Sequence, residues 1–216
     1  HEVIPGDPST PQLWAALDSQ LNRSFETEDG RILGVRATAV DSGGHFTNSV
    51  YQYCHKNFNR RIFAIKGVGG EGRALAGKPT RNNIVKCRVF PIGVDTIKDL
   101  VFARLRIEEP GAGYISFSDE LNEEYFRQLT AEKIITKFVR GFKKRVFTKI
   151  RPRNEGLDCF VYSIAAYSII NVSVNSIADK IQAKLAETKT ESVEEDVIKK
   201  RPFIQKANNG WLNAWR

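Results

Sequence analysis

The 216-residue chain has no methionine at all, its first residue included, and only three cysteines and three histidines. A chain that lacks methionine even at position 1 is expected to be a piece of a longer translation product. Cys54, Cys87 and Cys159 are odd in number, far apart and never in a C-x-x-C pair. They therefore offer neither a disulfide framework nor a zinc site, and a reducing compartment is the default. Of the histidines, His1 is at the chain end and His55 has no partner motif; His45, four residues after Asp41, reads either as a neighbour of that acid or as a surface residue near a helix start. The longest apolar stretch, Leu157 to Ile170, is shorter than the ~20 residues of a spanning helix, and no signal-peptide pattern opens the chain. No membrane partner is expected.

Acids are scarce in two places. Ser42 to Val94 holds nine Lys/Arg against the single acid Glu71, and Arg140 to Arg153, RGFKKRVFTKIRPR, holds seven Lys/Arg and no acid. The net charge is +8. Two such blocks suit a surface that tracks phosphates, because affinity for a polyanion comes mainly from neutralised phosphates and released counterions; the plainer alternative is a solvated basic face. Elsewhere the composition, 41% hydrophobic and 27% charged, is that of an ordinary folded domain. The length fits one domain, or one with an appendage.

Ser9-Thr10-Pro11 starts a helix in which Leu13, Leu17, Leu21 and Phe25 recur at helical spacing. A strand is expected over 32–40, a short helix over 48–58, and a strand over 61–66 that leads into the glycine-rich loop 67–77. The segment 84–94 reads as a strand broken at Pro91, and 96–106 as a helix. Ser118-Asp119 is expected to cap a helix running to Leu129, with acids in its first turn. Residues 134–150 read as a basic hairpin turning at Arg140-Gly141, and Asn154 as the cap of a helix over 157–170. The acidic stretch 186–200 reads as a linker before a tail bearing Trp211 and Trp215. Strands alternating with helices predict an α/β domain with a parallel or mixed sheet.

Asp41 and Asp95 each end an apolar strand, and Asp158 lies in the first turn of an apolar helix. An acid beside so much apolar surface is costly unless it is paired, protonated or bound to metal. Convergence of such acids at one sheet edge would make a Mg²⁺ or Mn²⁺ site. Two ions about 4 Å apart would hold the attacking water and the leaving oxygen of a phosphodiester. Glu155, three residues before Asp158, shares its helical face. Each acid alone reads first as a helix cap or a surface salt-bridge partner; taken together with the basic blocks, the metal reading overtakes it. The glycines of GVGGEG (67–72) satisfy G-x-G-x-x-G but precede no convincing helix, and GRALAGK (72–78) puts Pro79 where a P-loop needs Ser or Thr. A basic loop touching DNA backbone accounts for both runs.

The segments VIPGDPSTPQLWAAL, ATAVDSGGH followed by VYQYC, RIFAIKGVGGEGR, GVDTIKDLVFARLRI, LTAEKIITKF, RPRNEGLDCFVYSIAA and WLNAWR resemble, in order, the nuclease half of lambda-like (GpA-type) large terminase subunits of tailed phages. The resemblance implies a ribonuclease H-like mixed sheet flanked by helices, over 1–175, with 176–216 as an extension. It implies a Mg²⁺- or Mn²⁺-dependent endonuclease that cuts concatemeric double-stranded DNA during packaging in the cytoplasm of the bacterial host. Its partners would be a small terminase subunit, the portal of the procapsid and an upstream ATPase domain of the same subunit. By position Asp41 resembles the family's second catalytic carboxylate and Asp158 the last; Asp95 matches a GVDT segment and stands as a further candidate, with Glu155 as a helper. Lys66, Arg73, Lys78, Lys143, Lys144 and Arg145 would position DNA. The family's first catalytic aspartate sits on an opening strand of the type GVDVQ, upstream of the segment matching VIPGDP. This implies a shortened domain whose sheet exposes a long apolar edge. The competing reading is a non-catalytic module that binds DNA or docks packaging proteins.

Overall fold

The computed structural model describes residues 1–27, 30–139, 141–173, 178 and 181–183. The chain divides into two compact units, His1–Asn171 and Val172–Arg216. The acidic stretch 186–200 and the tail with Trp211 and Trp215 lie outside the described residues. Among the described residues no helix is long and apolar enough to cross a membrane.

The first unit opens with helix α1 (Pro11–Leu21), started by Pro11, whose fixed φ and missing N–H suit a first helical position. Leu17 and Leu21 follow the expected spacing and pack, with Trp14, onto the core. Phe25 does not continue the helix. It belongs to β1 (Ser24–Glu26), which pairs antiparallel with β2 (Ile32–Gly34), Phe25 opposite Leu33. The strand expected over 32–40 is thus two: β2 closes this small ribbon, and β3 (Thr38–Asp41) starts the main sheet.

That sheet continues through helix α2 (Thr47–Lys56), β4 (Ile62–Val68), β5 (Thr80–Arg81) and β6 (Arg88–Gly93). Its order is β3-β4-β6-β5, with β3, β4 and β6 parallel and β5 antiparallel at the far edge. Pro91 does not break β6; it pairs opposite Lys66, and its carbonyl accepts the Gly77 N–H at 2.8 Å. Both faces of β4 are covered over residues 62–65, so this part is apolar without a polar alternation. Ile62 and Ala64 face α2 and α1 with Val50, Cys54 and Val89. Ile65 and Ile92 face the second layer, and full burial of each contributes ~1.5–3 kcal/mol.

The second layer is α3 (Val94–Arg104), α4 (Glu123–Leu129) and α5 (Glu155–Ile170), which supply Ile97, Val101, Tyr125, Leu129, Leu157 and Val161. Helix α4 begins later than expected: Asn122 is its cap, its side chain accepting the Tyr125 N–H at 3.0 Å, and Ser118 instead accepts the Glu120 N–H. Between α4 and α5 stands the hairpin β7 (Glu132–Val139) and β8 (Phe142–Lys149), in register over their whole length. Among the described residues β3 pairs only with β4, so the open edge of the sheet is four residues long rather than extended.

Candidate carboxylate site

In open α/β sheets ligands collect outside the carboxyl ends of the parallel strands. Here those ends are Asp41 on β3, opposite Ile65, and Val68 on β4, opposite Gly93 of β6. Asp41 is exposed; its Oδ1 accepts the Gly43 N–H at 3.0 Å and its Oδ2 the Tyr162 hydroxyl at 3.4 Å. The turn beyond it is fixed by hydroxyls. Ser42 is buried and donates both its Oγ–H, at 2.7 Å, and its N–H, at 2.9 Å, to the Ile65 carbonyl. Thr47 donates to the Ser42 and Gly44 carbonyls. A Cβ at Gly43 would lie 3.3 Å from Asp41 Oδ1, so a side chain there would press on the carboxylate.

Helix α5 brings up Asp158 and, one turn later on the same face, Tyr162. Asp158 is half-buried. Burial holds its carboxyl above the usual range; Lys98 and Lys149 pull it down, while the charges of Glu132 and Asp41 push it up. The Tyr162 hydroxyl is likewise pushed up, by burial first and then by Asp41 and Asp158. Asp41 and Asp158 therefore share one field, and Tyr162 feels both charges.

Beneath Asp158 lies a buried ionic cluster. Lys98 of α3 donates from Nζ to both Glu132 oxygens at 2.8 Å, and its ammonium stands 3.9 Å from Asp158 Oδ1. Asn154 donates to Glu132 Oε1 at 2.8 Å instead of capping α5 with its side chain. Lys98, Glu132 and Asn154 are all under 9% exposed. Three elements, α3, β7 and the start of α5, are thereby fastened directly under the carboxylate.

The other expected residues lie apart from this pair in their contacts. Asp95, in the first turn of α3, accepts the Gly70 N–H on Oδ2 at 2.6 Å, so it anchors the glycine-rich loop. Glu155 is exposed and paired with Arg153 at 3.2 Å; its own backbone N–H, then Arg153, hold its carboxyl below the usual range. Lys66, Arg73, Lys78, Lys143 and Lys144 are exposed. Arg145 is bridged to Glu71 at 3.3 Å and Asp99 at 3.1 Å. His45 lines an apolar groove with Asp41, Leu13, Trp14 and Val50. Among the described residues no three His, Cys, Asp or Glu side chains form a group that could hold a metal. The pair Asp41–Asp158 offers oxygen donors only, in a partly desolvated field that is costly for two like charges; that donor chemistry fits one hard cation completed by water and substrate oxygens.

Sequence reading missed Lys98, Glu132, Asn154 and Tyr162 as members of the site. A signal was present for two of them. Lys98 falls on the apolar face formed by Val94, Val101 and Leu105, and Tyr162 stands four residues after Asp158. Glu132 and Asn154 gave none, since their meeting depends on how the hairpin seats.

Residues 1–181 match the family described as terminase large subunit gpA, endonuclease domain. The chain is 30% identical over 178 residues to the terminase large subunit of Escherichia phage lambda, covering 78% of this chain and 28% of that protein. It is 27% identical over 180 residues to the terminase large subunit of Enterobacteria phage P21, covering 80% of this chain and 28% of that one. The chain thus spans little more than a quarter of these relatives. No solved structure matches it significantly.

Proposed function

This chain belongs to the gpA family of terminase large-subunit endonuclease domains, and from that premise we propose that it is a metal-dependent endonuclease cutting double-stranded DNA for packaging into a phage capsid. The observation that carries this reading is the hydrogen bond from Tyr162, one turn after Asp158 on α5, to Asp41 at the carboxyl end of β3, together with the charge of Asp41 acting on the Asp158 carboxyl. Asp41 and Asp158 would hold Mg²⁺ or Mn²⁺; when bound, the ion supplies Lewis acidity toward a phosphodiester and activation of water. Tyr162 orients Asp41. Lys98, fixed by Glu132, sets the position of Asp158. Lys66, Arg73, Lys78, Lys143, Lys144 and Arg145 hold the DNA backbone. Asp95 takes the role of loop anchor ahead of metal ligand, and Glu155 stays at the rim. The mixed sheet flanked by helices is assigned to the ribonuclease H-like class, and the packaging partners are a small terminase subunit, the portal and an ATPase domain of the same subunit, in the cytoplasm of the bacterial host.

A plasmid-nicking assay with Mn²⁺ tests the assignment. Asp41→Ala and Asp158→Ala should each lose ~100-fold or more, at least the loss that follows removal of a metal ligand's outer partner. Asp95→Ala should lose less than either. Wild-type cleavage by both of the first two variants would overturn the site.

A second reading, a DNA-binding module without cleavage, is favoured by one observation: among the described residues no three His, Cys, Asp or Glu side chains form a group that could hold a metal. It predicts DNA binding that is sensitive to salt and indifferent to divalent metal, with no nicking at any protein concentration.

A further inference from the structure

The hairpin β7–β8 has two unlike faces. Alternation along a strand puts Glu132, Ile134, Thr136 and Phe138 on one side, with their partners Lys149, Phe147, Arg145 and Lys143. This side is seated on α3: Phe147 stacks on Phe102 with ring centres 5.9 Å apart, Lys98 reaches Glu132, and Arg145 reaches Asp99. The opposite side carries Lys133, Ile135 and Lys137 from β7 and Phe142, Lys144 and Val146 from β8. Its three lysines are exposed and make no ion pair among the described residues, and residues 133–149 contain seven Lys/Arg and no Asp or Glu.

Two features of the ribbon are unanswered among the described residues. Lys137 stands directly opposite Lys144, a like-charge pair that weakens a two-stranded ribbon unless an anion lies over it. At the tip Phe138 and Phe142 are 69% and 78% exposed, although an isolated hairpin gains its stability by burying such groups. Eight residues per strand make a ribbon ~27 Å long. A two-stranded ribbon of this kind fits the ~12 Å major groove of B-DNA, where lysines reach phosphates on both walls.

We propose that the β7–β8 ribbon enters the major groove of duplex DNA tip first, Lys137 and Lys144 meeting phosphates of the two strands and Phe138 and Phe142, one on each face of the tip, packing on base edges. The inference rests on the DNA-cutting role only for the identity of the polyanion. The base of the ribbon is fastened by Lys98 and Glu132 beside Asp158, so a groove-bound tip fixes where along the duplex the carboxylates are presented. Base contacts come from the tip and backbone contacts from its flanks, which makes this ribbon the element that sets cut-site preference.

The test is fluorescence anisotropy with a labelled duplex, without divalent metal, over a salt series. Lys137→Ala/Lys144→Ala should lower the slope of log affinity against log salt by ~2. Phe138→Ala/Phe142→Ala should weaken binding about tenfold with the slope unchanged, in the range of a lost base–aromatic contact. Methylation of guanine N7, on the major-groove side, should interfere with binding by the wild type and no longer with the phenylalanine variant. All four side chains are exposed, so unchanged circular dichroism is expected. Wild-type affinity and slope in both variants overturn the proposal, as does interference from minor-groove methylation alone or equal binding of single strands. These readouts contain no cleavage, whereas the nuclease reading fails on cleavage by the Asp41 and Asp158 variants, so the two failures are distinct.

Discussion

Tyr162 on α5 donates its hydroxyl to Oδ2 of Asp41 at the end of β3, at 3.4 Å. The bond is long for O–H···O, and its weight lies in direction more than in energy. It is the link through which the helix carrying Asp158 holds the carboxylate of the edge strand. Tyr162→Phe removes the donor and keeps the ring. The expected cost in stability, by urea denaturation, is at most about 1 kcal/mol; the expected cost in Mn²⁺-dependent nicking is about tenfold, through a less directed Asp41. Unchanged nicking would show that the ring acts by packing alone.

Asp158 binds its proton more tightly in the folded chain than in the unfolded one, because burial and the charges of Glu132 and Asp41 oppose ionisation more than Lys98 and Lys149 favour it. A carboxyl raised in this way favours the folded state at low pH, and the benefit is lost as pH rises through its folded pKa. Without metal, Asp158→Asn should therefore raise the melting temperature at pH 7, and the gap from wild type should shrink toward pH 4. Mn²⁺ should stabilise the wild type by mass action and leave the variant unmoved. Thermal scans at the two pH values, with and without Mn²⁺, check both signs. A variant that melts below wild type at pH 7 would contradict the account.

Strands β4 and β6, helices α1, α2, α3 and α5, and the pairing of β7 with β8 were legible because each rests on local periodicity or turn chemistry. The 32–40 strand was not. Its break at residues 35–37 sends β2 and β3 into different sheets, and nothing in Val35-Arg36-Ala37 marks a turn. Asn154 looked like a helix cap because its type and place are right for one; a buried Glu132 competes for the same amide and wins. At the site, Asp41 and Asp158 were readable as acids stranded in apolar surroundings. The anchoring role of Asp95 was not, since it depends on where Gly70 folds back.

Lys98 and Glu132 form an ion pair with side chains 8% and 5% exposed. Burying two charges is costly, and a well-packed apolar pair is often no worse; removing one partner leaves the other charge unpaired and costs ~3–5 kcal/mol. Lys98→Met should lose about that much in urea denaturation, and Lys98→Met/Glu132→Leu should recover most of it. If the pair also sets Asp158, the double variant should remain slow in nicking despite its restored stability. Full activity in the double variant would reduce the cluster to a structural clamp.

The glycine-rich loop folds back so tightly on β6 that a side chain at Gly93 has no room. A Cβ there would lie 2.7 Å from the Ala74 carbonyl oxygen and 2.7 Å from Arg73 Cβ. Gly93 has an ordinary φ of −79°, so alanine brings no backbone strain and any effect is steric. Gly93→Ala should cost ~1–3 kcal/mol, as overpacking does, by pushing the loop off the end of β6. That loop also carries Gly70, the donor to Asp95. Limited trypsin digestion should then cut faster after Arg73 in the variant than in the wild type. Gly44→Ala is the control, since a Cβ there meets nothing within 4 Å; it should stay within ~0.5 kcal/mol of wild type. Equal trypsin rates in Gly93→Ala and wild type would mean that the loop gives way without leaving the sheet.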